Sequence, residues 1–174
     1  LRARDVRFLQ EAASFGPLTA LVWPDAVVEA RDGHAPKFPL AERLYFLRAL
    51  RYVDQARAWE AADDAGPTSG GSHDGTVLVL REAQRDDALV AACLACGFGC
   101  RVLPEASLDG FPAPPPRPVD AGLKKVIVSG SFDWFHTGHI RFLEEASRYG
   151  SLFAVVGHDE NIRRLKGDGH PLLG

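Results

Sequence analysis

The chain has 174 residues, 46% of them apolar, and its 20 Lys and Arg stand against 23 Asp and Glu for a formal net charge of -3. That is ample for a hydrophobic core and for one sizeable domain, or one domain and part of another. Slight acidity without any basic run argues against a nucleic-acid or membrane-surface partner, and no apolar stretch approaches the roughly 20 residues needed to span a bilayer. With no signal peptide at its start, the protein is expected to be cytoplasmic. With no methionine and Leu1 first, the sequence is expected to be part of a longer gene product.

In chain order, residues 2–15 place Val6, Leu9, Ala12 and Ala13 on one helical face, with Gly16 as the stop. Leu18 to Trp23 predicts a buried strand. Residues 24–38, carrying Asp32-Gly33-His34 and Lys37, read as loop or short helix. Leu40, Leu44, Leu47 and Leu50 set a second helix in register, and Arg51 to Asp54 reads as a strand end. Residues 63–75 are loop by composition. Thr76 to Leu80 then predicts a strand, Arg85 to Ala95 a helix and Cys100 to Leu103 another strand. This alternation predicts an α/β protein with a parallel sheet and helices on both faces. Cys93, Cys96 and Cys100 read as buried, reduced thiols, because the C-x-x-C lacks a second pair and Cys93 falls on an apolar helical face. Phe111 to Pro118 is a proline-rich, semi-rigid linker. Beyond it lie a strand from Lys125 to Ser129, a helix from Ile140 to about Arg148 closed by Gly150, a strand from Leu152 to Val156, and a loop with Asp159, Arg163 and Lys166.

The most informative stretch is KVIVSGSFDWFHTGH, residues 125–139. A β-branched run with the continuous apolar character of a strand buried on both faces breaks at Gly130, and helical spacing resumes at Ile140. Ser129 to His139 is therefore a strand-to-helix turn. Such turns bind anions: glycine allows close backbone approach, and the first helical amides lack intrahelical partners and carry the positive end of the dipole. His136 and His139 stand three residues apart at its mouth. They could instead be a helix cap with a packed ring, or two metal ligands. A cap alone explains neither Phe132-Asp133 nor the strand, and a metal would need a third ligand.

SGSFDWFHTGH resembles the G-x-F-D-x-x-H-x-G-H signature of the cytidylyltransferase-like nucleotidyltransferases. The resemblance implies a Rossmann-like parallel sheet of the HxGH type. It also implies transfer of CMP or AMP from CTP or ATP to a small phosphorylated alcohol or sugar, with release of pyrophosphate and Mg²⁺ as cofactor. On the matching positions, His136 and His139 would donate hydrogen bonds to the triphosphate, and Lys166 would reach the transferring phosphates. Ser129, Gly130, Ser131 and Phe132 would present backbone amides, and Gly138 would keep space between the rings. Asp133 would either hold the turn or sit near a magnesium-bound phosphate; no protein metal ligand is assigned. Arg163 and His170 are secondary candidates. The family's later nucleotide-binding stretch, often R-T-x-G-I-S-T-T, has no counterpart, so the base is not read. The expected partners are CTP or ATP, a small phosphorylated substrate and, in one arrangement, a second copy of the chain. The alternative from another class is a non-catalytic nucleotide- or phosphometabolite-binding protein.

An internal repeat links the two ends. At an offset of 134, RFLQEAASFGPLTALVWPD from Arg7 matches RFLEEASRYGSLFAVVGHD from Arg141, with ten of nineteen positions identical. When the offset shifts by two, Asp32-Gly33-His34 also meets Asp168-Gly169-His170. The expected organisation is thus a tandem repeat. Residues 1–110 form a degenerate copy lacking its first strand and both histidines, 111–122 a linker, and 123–174 the N-terminal half of an intact domain.

Overall fold

The computed structural model describes residues 3–59, 75–110 and 122–172. The chain forms two compact units, Ala3–Phe111 and Pro112–Gly174. The loop expected at 63–75, apart from Gly75, and the proline-rich linker at 111–118 lie outside the described residues.

In the first unit, α1 (Ala3–Ala12) runs into a single 3-10 turn and stops at Gly16, whose φ of 144° favours glycine. β1 (Thr19–Val22) follows, then α2 (Asp25–Asp32), so the short helix is the correct one of the two readings for this stretch. Gly33 closes α2 in the left-handed region. Asp25, the first residue of α2, pairs with Arg43 at 2.5 Å and accepts the amide of Leu40 at 3.2 Å. It thereby fixes the start of α3 (Leu40–Arg48).

The strand end expected at Arg51 to Asp54 is instead a turn, and the strand, β2 (Gln55–Ala58), begins one residue later. The reason is local hydrogen bonding. Leu50 and Val53 amides donate to Leu47 and Leu50 carbonyls, tightening the chain, while the Asp54 carboxylate accepts the Leu18 amide at 2.7 Å. That clasp sets the parallel register of β1 on β2, Thr19 with Gln55 through Val22 with Ala58. Leu9, Val22, Leu47, Val53 and Ala56 form the core of this part. Truncating a residue such as Leu47 to alanine costs about 2 to 5 kcal/mol.

β3 (Val77–Arg81) and β4 (Gly99–Leu103) also pair in parallel, joined by α4 (Asp87–Ala95). Asp86 caps α4 by accepting the amides of Ala88 and Leu89. Cys93 is wholly buried on α4, and burial pushes its thiol up. Cys96 is exposed and Cys100 half-buried, so burial holds for the first cysteine alone.

The second unit is a strand-helix-strand-helix: β5 (Lys125–Gly130), α5 (Thr137–Ser147), β6 (Ser151–Val156) and α6 (Asp159–Lys166). β5 and β6 pair in parallel from Lys125 with Ser151 to Gly130 with Val156. Gly150 is forced here: its φ is 152°, and a Cβ would lie 2.1 Å from the Lys124 carbonyl oxygen. Burial of β5 on both faces is not what the structure has, since Val128 is buried while Ile127 is 70% exposed. The loop expected around Asp159, Arg163 and Lys166 is also corrected, because these residues form α6. His158 caps it through Nδ1, acidic residues occupy its first turn and basic ones its last, and Ile162 is its buried anchor.

Among the described residues the strands form three separate two-stranded parallel pairs rather than one continuous sheet. The α/β class and parallel pairing agree with a Rossmann-like fold. No helix among the described residues is long and apolar enough to cross a membrane.

Candidate active site

The expected turn is shorter than its sequence bounds. Gly130 is still in β5, its carbonyl accepting the Gly157 amide at 3.1 Å, and α5 already starts at Thr137. Only Ser131 to His136 lie between strand and helix. Phe132 takes a positive φ of 46°, uncommon for a non-glycine residue. Its ring lies 3.2 Å from where a Cβ on Gly130 would stand, so the room beside Gly130 holds the Phe132 ring. Ser129 sits within β5, paired with Val155.

His136 is the N-cap of α5. Its Nδ1 accepts the Gly138 amide at 3.0 Å, and His139 Nδ1 accepts the His136 amide at 3.4 Å, a reciprocal capping box made of two imidazoles. Glycine at 138 is what lets the first ring fold over the helix end, because a Cβ there would come within 2.7 Å of His136 Cε1. The ring centroids of His136 and His139 are 4.2 Å apart, and Phe135 stacks on His139 at 5.5 Å. Burial, then repulsion from His136 and Lys166, holds the pKa of His139 below its ordinary value. A neutral ring that accepts at Nδ1 carries its proton on Nε2, which makes Nε2–H the free donor. The cap considered from the sequence is therefore present, and it orients both histidines as donors.

Lys166, the last residue of α6, reaches the turn. Its Nζ donates to Ser131 Oγ at 3.0 Å and lies 3.4 Å from Asp133 Oδ2. Asp133 is buried. Its Oδ1 accepts the Leu172 amide, and its Oδ2 accepts from His170 Nδ1 as well as from Lys166. Burial alone would raise its pKa, but the Leu172 amide, the His170 ring and Lys166 outweigh it, so the carboxyl titrates below its ordinary value. The structure thus brings Ser131, Asp133, His136, His139 and Lys166 to one end of the β5–β6 pair. His170 joins them, while Arg163 is exposed on α6 with its carbonyl accepting the Gly167 amide at 2.8 Å.

The tie from Asp133 to residues 170–172 was missed from sequence because it links positions 37 and 39 residues apart. The helix that delivers Lys166 did leave a signal: Asp159 and Glu160 followed by Arg163, Arg164 and Lys166 is the acidic-to-basic order of a helix.

The donor set does not suit a magnesium ion held by the protein. Asp133 is already committed to three donors, one of them a cation, and no group of three or more His, Cys, Asp or Glu is arranged for a metal among the described residues.

The strand-turn-helix with paired histidines defines a class. A family model described as cytidylyltransferase-like matches residues 127–172, so this segment is similar to that family. Particular relatives match part of this chain. It is 45% identical over 53 residues to the Bifunctional protein HldE of Hydrogenovibrio crunogenus, covering 30% of this chain and 11% of that protein. Against the Bifunctional protein HldE of Shewanella piezotolerans it is 44% identical over 52 residues, 29% of this chain and 11% of the relative. The protein of the same name from Geobacter sulfurreducens is 41% identical over 54 residues, again 30% and 11%. The match therefore spans 11% of the length of these curated relatives.

Proposed function

We propose that the unit from 123 onward supplies the triphosphate-binding half of a nucleotidyltransferase. It would transfer CMP or AMP from a nucleoside triphosphate to a phosphorylated alcohol or sugar and release pyrophosphate. The observation that carries this reading is the double imidazole cap. Backbone amides engage Nδ1 of both His136 and His139, so two Nε2–H donors stand at a helix N-terminus beside a lysine. In-line attack of a substrate phosphate on the α-phosphorus needs positioning and stabilisation of charge on phosphoryl oxygens more than covalent help. His136, His139 and Lys166 are suited to that stabilisation. Ser131 and Asp133 hold Lys166 in place, and the amides at Ser131 and Phe132 lie on the same turn. Magnesium would enter with the triphosphate as its counter-ion.

We further propose that residues 1–110 are a degenerate copy of the same unit. The offset of 134 that aligns the sequences also aligns the first residues of α2 and α6, Asp25 and Asp159. It brings Gly16 onto Gly150 as well, with φ of 144° and 152°. In the first copy Arg2 and Asp5 occupy the histidine positions.

The test is pyrophosphate release when the protein is mixed with Mg²⁺, CTP or ATP and a panel of phosphorylated alcohols and sugars. Release that needs both nucleotide and acceptor supports the proposal. Binding without release across the panel supports a non-catalytic nucleotide- or phosphometabolite-binding protein instead.

A further inference from the structure

The imidazoles of this unit divide by what their Nδ1 atoms touch. In His136 and His139, Nδ1 receives a backbone N–H, at 3.0 and 3.4 Å, which leaves the proton on Nε2. His170 is the reverse. Its Nδ1 lies against Oδ2 of Asp133, and an ionised carboxylate can only accept, so Nδ1 carries a proton, and in the neutral ring Nε2 then keeps a lone pair. Among the described residues that Nε2 makes no hydrogen bond.

The setting makes the lone pair usable. Asp133 is 2% exposed and anchored by the Leu172 amide, whereas the His170 side chain is 30% exposed, an accessible acceptor on a buried support. Lys166 shares the same carboxylate oxygen, at 3.4 Å, so its ammonium and the His170 ring meet at one point of the site. A lone pair repels phosphate oxygens and is satisfied by a donor. With the lysine ammonium adjacent, a neutral hydroxyl is favoured over a second cation.

We propose that His170 is a specificity-determining residue whose Nε2 accepts a hydrogen bond from a hydroxyl of the phosphorylated substrate. This rests on the nucleotidyltransferase reading and narrows its acceptor to polyol or sugar phosphates that carry a free hydroxyl near the phosphate.

Two measurements on the full chain test it. Long-range proton–nitrogen NMR of the histidine-labelled protein reads the tautomers without any substitution. A pyrrole-type Nδ1 with an unprotonated Nε2 is expected for His170 and a pyrrole-type Nε2 for His136 and His139, and a His170 protonated at Nε2, neutral or cationic, overturns the proposal. Calorimetry then compares glycerol 3-phosphate and mannose 1-phosphate with n-propyl phosphate, which keeps the phosphate but has no hydroxyl. At least one hydroxylated probe is expected to bind about tenfold tighter or better, and His170→Phe to bring the ratio to within about twofold. No preference in the unaltered chain, or an unchanged ratio in the variant, overturns the proposal. Tautomers and preference as expected, without pyrophosphate release, would support His170 and count against nucleotidyl transfer, so the two failures are separable.

Discussion

Gly138→Ala separates the fold from the chemistry at the double imidazole cap. The φ of Gly138 is outside the left-handed region, so alanine brings no backbone strain there, but its Cβ would stand 2.7 Å from His136 Cε1 and 3.0 Å from Nδ1. The imidazole is the far end of a mobile side chain and can swing away. In doing so it gives up the Gly138 amide, a capping bond whose loss costs about 1 kcal/mol. Replacing glycine by alanine within a helix returns up to about 1 kcal/mol. The two effects nearly cancel, so stability by chemical denaturation is expected to change by less than about 1 kcal/mol. Catalysis has no such compensation. A donor displaced by a fraction of an ångström loses its alignment with a phosphoryl oxygen, and pyrophosphate release is expected to fall by about 10- to 100-fold. Unchanged turnover would refute the claim that the cap orients His136 for catalysis. A stability loss beyond about 3 kcal/mol would show instead that the ring's seat is a main support of the fold.

His136→Ala and His139→Ala are each expected to lower turnover by at least about 100-fold in the pyrophosphate assay, with little loss of folding. Lys166→Ala should weaken catalysis more than Lys37→Ala, because only Lys166 shares a unit with both histidines; equal losses would show that residues 1–110 contribute chemistry. Because Asp133 titrates below its ordinary 3.8, its ionised form stabilises the fold above that value, and the contribution is lost as pH falls through the folded pKa. Acid denaturation of Asp133→Asn should lack this component, and an identical acid profile would deny the carboxylate its role. Gly150→Ala must push the Lys124 backbone aside as well as accept a positive φ, whereas Gly16→Ala meets nothing within 4 Å. The first should therefore destabilise its unit by more than about 2 kcal/mol and the second by about 1 kcal/mol, compared by denaturant unfolding.

Much of this molecule was legible in the chain because the signals are local. Apolar spacing marked α1, α3, α4 and α5, and β-branched runs marked β1, β3 and β5. The glycine stops at Gly16 and Gly150 and the spacing of His136 and His139 needed only neighbours to interpret. The ten identities between residues 7–25 and 141–159 are likewise read from the sequence alone. What the tertiary structure decided are the places where a distant group settles a local choice. Arg51 to Asp54 has strand-like composition, yet Asp54 spends its carboxylate on the Leu18 amide and the strand starts after it. Asp133 could have held its own turn or faced a phosphate. Its partners prove to be Lys166, His170 and the Leu172 amide, more than thirty residues on. The tautomers of the three histidines follow from the same cause. Composition and spacing put imidazoles at a turn, but which nitrogen donates depends on whether an amide or a carboxylate lies against the other one, and only the folded chain sets that.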